Sequence, residues 1–146
     1  MVEKLETRSA PALAAIDAFV RGSSARQCAS NQLVTAMQAI LPDLAANKGA
    51  LLVTNGGLGL FDPQFEEIGV KWNAMGVSVA NSAKHKVVAL LARKLKAQGI
   101  YVGEVVVTRT VSTVKDNNDP AVIEPRAVAA TFWDIYQNRD SISVTV

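Results

Sequence analysis

Residues 76–108, GVSVANSAKHKVVALLARKLKAQGIYVGEVVVT, constrain the fold more than any other part of this chain. Apolar residues recur there at three- and four-residue steps, then give way to a nearly continuous apolar run. The first pattern predicts a helix over residues 77–98, with Val79, Ala83, Val87, Leu90, Leu91 and Leu95 on its apolar face and Ser78 as a cap. Arg93, Lys94 and Lys96 lie where a helix dipole favours cations, and Gly99 is a stop signal. The second pattern, IYVGEVVVT, is a clear strand over residues 100–108. A helix feeding such a strand is half of a parallel α/β unit.

The rest of the sequence repeats that unit. Leu33, Val34, Met37, Ile40, Leu41 and Leu44 predict a helix over residues 25–46, with Pro42 bending its end or starting its last turn and Asn47-Lys48-Gly49 stopping it. ALLVT at residues 50–54 is a strand-length apolar run, as for a parallel strand buried on both faces, and is ended by Asn55-Gly56-Gly57. Residues 56–76 read as loop with a short helix, anchored by Phe61, Phe65 and Trp72. A polar connection, RTVSTVKDNNDPAVI, leads to a helix over residues 125–138 in which Ala129, Phe132, Trp133 and Tyr136 share a face. SISVTV at residues 141–146 alternates and is β-branched, as a last strand. Ahead of all this, residues 2–20 carry a weaker helical pattern interrupted at Pro11. The expected fold is α/β: a reduced, Rossmann-like, mostly parallel sheet of about three strands flanked by helices, in one domain over residues 1–146, with residues 1–24 poorly defined.

Composition removes several function classes. A formal charge of +2 is too small to point to nucleic acid or an acidic membrane surface. The lone Cys28 allows no intrachain disulfide and no zinc cluster, and suits a reduced compartment. No run approaches a membrane span, and the opening MVEKLETRSAPALAA is charged, so a cytoplasmic location is expected. Aromatic residues are 5% of the chain, so Ala, Val, Leu and Ile must supply the core.

Several residues are candidates for chemistry, each with an ordinary structural reading beside it. Gly56-Gly57-Leu58-Gly59 offers backbone to a phosphate but lacks the spacing of a dinucleotide fingerprint, and reads better as a strand-end turn. His85, the one histidine, has no Ser, Cys or carboxylate at a telling spacing and reads as a surface helix residue. Asp116, Asp119 and Glu124 do not match a calcium loop and read as a solvated turn. Phe132, Trp133 and Tyr136 read as core.

The helix–strand segment, together with QAILP at Gln38–Pro42, KGALLVTN before it and FWDIYQNRDSISVTV at the end, resembles the C-terminal half of the short-chain dehydrogenase/reductase family over about residues 25–146. That resemblance implies a descendant of NAD(P)-dependent oxidoreductases. The family's Tyr-x-x-x-Lys falls on Ala80 and Lys84, so the Lys is kept and the proton-transferring Tyr is lost. Its Ser falls on Gly56 or Gly57, and its Asn on Ala29 or, with a two-residue slip, Asn31. The Pro-Gly after its sixth strand aligns with Val107-Thr108, and Tyr101 and Tyr136 lie elsewhere. Lys84 is the one residue the resemblance assigns to catalysis and to cofactor ribose. Otherwise it is a solvated lysine on a helix with Lys86, Arg93, Lys94 and Lys96. Only Gly22 occurs in residues 1–30, so the Gly-rich pyrophosphate turn is missing.

The expected function is a truncated or degenerate relative without hydride transfer of its own, acting as a self-associating or partner-binding module. No cofactor is then expected for the isolated chain. The alternative is an NAD(P)-dependent subunit completed by another chain or by a missing N-terminal half; a weaker third is a small-molecule binder using residues 109–124. Self-association is expected through the helices at 25–46 and 77–98, which resemble the family's dimer helices, and through the exposed edge strand at 50–54.

Overall fold

The structure is a computed structural model that describes residues 29–113 and 119–146. The weak helical pattern at 2–20, Gly22, Cys28 and Asp116 lie outside the described residues, as does the side chain of Asn31.

The architecture follows from helices alternating with apolar strands. Helix α1 (Ala29–Asn47) leads to strand β1 (Ala50–Gly56), a 3-10 turn at Gly57–Gly59, helix α2 (Pro63–Lys71) and the long helix α3 (Met75–Leu95). Strand β2 (Tyr101–Val107) follows, then two short strands, β3 (Thr110–Val111) and β4 (Val122–Ile123), helix α4 (Pro125–Asn138) and strand β5 (Ser143–Thr145). The main sheet is parallel throughout, in the order β1-β2-β5, so the expected α/β fold with three strands is the observed one. Ala50 pairs with Tyr101 and Gly56 with Val107, so β1 and β2 match along their whole length.

Local signals set the element ends. Lys48 takes a left-handed conformation with φ 48° after α1, and the Gly49 N–H closes the turn by donating to Leu44 O at 2.8 Å. Asp62 caps α2 by accepting from the Gln64 N–H at 2.8 Å, with Pro63 in the first turn. Gly99, at φ 75°, ends the helical stretch before β2, where a side chain would be strained. Helix α3 starts earlier than its apolar pattern suggests. Its N-cap is Ala74, and Ser78 is inside the helix with its hydroxyl donating to Ala74 O at 3.2 Å. The described parts of the polar connection after β2 include two short strands, β3 and β4, that pair in parallel.

The core lies between the sheet and the paired helices α1 and α3. Val34, Met37 and Leu41 of α1 meet Val87, Val88, Leu91, Ala92 and Leu95 of α3, over Val53 of β1 and Val102 of β2. Each such side chain contributes about 1.5–3 kcal/mol when fully buried. Because side chains alternate along a strand, Tyr101 and Val102 serve opposite faces of the sheet. The Tyr101 side receives the end of α4: its hydroxyl donates to Ser141 O at 2.6 Å, while Arg139 Nη1 donates to Lys48 O at 2.9 Å.

The apolar faces differ from the sequence expectation in one consistent way. Val79, Leu90 and Ile40 are exposed, and Val88 and Ala92 fill the core instead. Phe61 and Trp72 are likewise exposed, and only Phe65 of the three expected anchors is half-buried. On α4 the buried residue is Ile135, whereas Trp133 and Tyr136 are exposed and Phe132 is half-buried. β1 is half-covered rather than buried on both faces: it is a sheet edge among the described residues, with Thr54 exposed.

This facing is testable. Leu95→Ala should cost about 2–5 kcal/mol in urea unfolding, the range for a fully buried leucine. Val77→Ala, on the exposed side of α3, should stay within about 0.5 kcal/mol.

Candidate functional site

Glu104 stands in the middle of β2, the central strand, and is 1% exposed. A carboxylate so placed is costly unless its oxygens find donors. The fold brings three, from three different elements. His85 on α3 meets Oε1 through Nδ1. Ser143 on β5 donates its hydroxyl to Oε1 at 3.0 Å. Asn55 on β1 donates Nδ2 to Oε2 at 3.1 Å.

Asn55, itself buried, extends the network towards the strand ends. Its Nδ2 also lies 3.1 Å from Asn81 O on α3, and its Oδ1 accepts the Gly56 N–H at 3.0 Å. The turn after β1 then closes tightly on the helix. A Cβ at Gly59 would lie 2.7 Å from the carbonyl carbon of Asn81, so only glycine fits between turn and helix. Ser82 Oγ donates to Gly59 O at 2.8 Å from the other side. The glycines of this stretch thus serve close packing at a strand-end turn.

His85 is the residue whose sequence reading changes most. It is no free surface histidine: its ring is held by a buried carboxylate 19 residues further along, with the side chain 36% exposed. With Nδ1 facing Glu104, the outer side of the ring carries Nε2, the nitrogen left for a proton or a ligand. The arrangement is an oriented imidazole, the minimum of an acid–base pair, and among the described residues no serine or cysteine hydrogen-bonds to it.

The other residues singled out are placed as follows. Lys84 is half-buried on α3, and none of the described residues hydrogen-bonds or ion-pairs with it. Ala80 is half-buried one residue before Asn81. The Gly56 position lies beside the same helical turn, since a Cβ there would meet Asn81 Nδ2 at 3.0 Å. Tyr101 is committed to Ser141, and Tyr136 packs beside Trp133 with Arg139 over its ring, so neither phenol reaches the Ala80 turn. Asp119 accepts the Ala121 N–H at 2.8 Å in an exposed turn. Among the described residues no group of three His, Cys, Asp or Glu side chains could hold a metal ion. No described helix is long and apolar enough to cross a membrane.

A second feature lies on the far side of the same turn. A groove of about 460 Å³ runs between the loop after β1, helix α2 and the start of α3. Leu60, Phe61, Val70, Met75 and Val79 give it an apolar lining, with Glu66 as its charged member.

No protein-family model, curated protein or solved structure matches the chain.

Two outcomes follow from the site. Glu104→Ala leaves the buried Asn55 amide without its carboxylate partner and should cost about 3–5 kcal/mol, against about 1–3 kcal/mol for His85→Ala; a double-mutant cycle by urea unfolding measures their coupling. Tyr101 gives a pH signature. Burial raises its phenol above the ordinary value of 10.0, Asp140 pushes the same way and Arg139 opposes. A group raised on folding stabilises fully below its unfolded pKa and loses that contribution as pH rises through its folded pKa. The urea midpoint should therefore fall more steeply above about pH 10 in the wild type than in Tyr101→Phe.

Proposed function

We propose that this chain is a self-associating module on a reduced dinucleotide-fold scaffold related to the short-chain dehydrogenase/reductases, without hydride transfer of its own. One observation carries the reading: the side of α3 turned away from the core carries large apolar residues among its polar ones. Val79 is 68% exposed and Leu90 50% exposed, with Met75 also outside. A lone exposed valine needs no explanation, but a run of them along one long helix marks a contact surface. Among the described residues β1 is also a sheet edge, and Ile40 of α1 is exposed.

The chemistry at the strand ends supports the second half of the reading. The Tyr and Ser positions of the resemblance are Ala80 and Gly56 or Gly57, and neither residue type moves a proton. Lys84 then has no phenol to tune.

A specific observation keeps a second reading in play. Half-buried Lys84 and the His85 ring both belong to α3, one turn after Asn81, which meets the C-terminal end of β1 where ligands of parallel sheets bind. An NAD(P)-dependent subunit completed by a second polypeptide would use that neighbourhood.

Sedimentation velocity at low micromolar concentration should give a dimer or larger species, and titration calorimetry with NADH and NADPH should give no submillimolar binding. A folded monomer would sink the first reading. Tight dinucleotide binding by the chain alone would favour the second.

A further inference from the structure

His85 and Glu104 form an oriented pair for which self-association has no use. A carboxylate only accepts hydrogen bonds, so with Nδ1 against Glu104 Oε1 the ring carries its proton on Nδ1 and its lone pair on Nε2. The carboxylate is held at both oxygens: Ser143 donates to Oε1 at 3.0 Å and Asn55 to Oε2 at 3.1 Å. Glu104 is 1% exposed and the His85 side chain 36%, so a fixed negative charge lies inside while the ring opens to solvent. The β5 side is open too. Ser143 is exposed, and alternation places exposed Thr145 on the same strand face. Helix α3 itself carries Lys84, Lys86, Arg93 and Lys94 and no acidic residue, a setting that favours an anionic reagent. Packing does not call for this glutamate, since apolar residues of similar volume often stabilise as well as a buried ion pair.

We propose that His85 is a phosphoryl-acceptor residue, whose Nε2 takes the phosphoryl group of a small acyl phosphate. The Nε2 lone pair attacks phosphorus. The N–P bond forms as the P–O bond to the acyl oxygen breaks, and that bond's electron pair leaves with the carboxylate released. No proton moves: Nδ1 keeps its hydrogen, and the phosphorylated ring is a cation. Glu104 stabilises that cation. The positive charge develops in the transition state against a carboxylate already fixed and shielded from water, so nothing has to reorganise. Among the described residues no serine or cysteine hydrogen-bonds to the ring, so the imidazole is itself the nucleophile. This inference goes beyond self-association and does not rest on it.

Incubating the full chain with acetyl phosphate tests it, with the product read by mass spectrometry of the intact chain and its peptides and by phosphorus NMR. The expected product is one acid-labile phosphoryl group on His85, at Nε2 only. It should form about ten-fold or more faster than on N-acetylhistidine under the same conditions. His85→Gln should give no such product. Glu104→Gln, checked for folding by circular dichroism, should keep the Nε2 position and lower the rate about ten-fold, because its amide oxygen still accepts from Nδ1 but carries no charge. If that variant does not fold, the wild-type rate against N-acetylhistidine still decides. A wild-type rate no greater than that of N-acetylhistidine, or a product on Nδ1, would overturn the proposal. So would a folded Glu104→Gln chain that reacts as fast as wild type, or a His85 that is acetylated in place of being phosphorylated.

Discussion

All three strands of the main sheet and the long helix over them are tied to one buried carboxylate. Glu104 sits on the central strand, and its donors come from the strand on either side and the helix above. A sheet of three strands buries little surface compared with larger parallel sheets, so it depends on each contact that spans elements. Apolar packing alone is tolerant of small slides between helix and sheet. A carboxylate with directional donors is not, because moving one donor by an ångström leaves a buried oxygen unsatisfied. The network therefore selects one register of α3 over the sheet, and that register decides which side of α3 faces out.

Much of the fold is legible in the sequence because its strands are nearly uniform apolar runs. ALLVT and IYVGEVVV cannot be placed on a solvated antiparallel sheet without exposing valines, and the helices between them supply the crossovers. Element ends are legible where a single residue dictates the backbone, as at Gly99 or Asp62-Pro63. The start of α3 is less so. Met75 to Val79 carry helical periodicity but no cap, and Ser78 imitates a cap while bonding back to Ala74 within the helix.

The site was harder to read, for a physical reason. Hydrophobic period reports which residues repeat on one face; it says nothing about a polar residue whose partner lies on another element. His85 looks solvated from its own helix, flanked by Lys84 and Lys86, and its carboxylate arrives from the next strand. The signal that could have found it was Glu104 itself. A lone glutamate inside IYVGEVVVT has to be either a kink in the pattern or a buried charge with donors around it. The second option points to Asn55 and His85, polar side chains on the flanking elements. The helical faces were misread for a related reason. Both sides of α3 carry valine and leucine, so periodicity alone could not say which side meets the core, and Val79 and Leu90 were assigned inward.

That two-sided helix links fold to function. The inner stripe, Val87, Val88, Leu91 and Leu95, is spent on the core. The outer stripe gives the monomer nothing, and leaving large apolar side chains in water lowers the solubility of a chain with little net charge. A sequence under no demand but folding would replace Val79 and Leu90 with lysine or glutamate at no cost to the core. Their presence beside an apolar groove at one end and a basic helix end at the other is accounted for if the helix has two partners, its own sheet and a second copy of the chain. On that view the Glu104 network does more than hold the domain together. By fixing the rotation of α3, it fixes which residues are offered to the second copy.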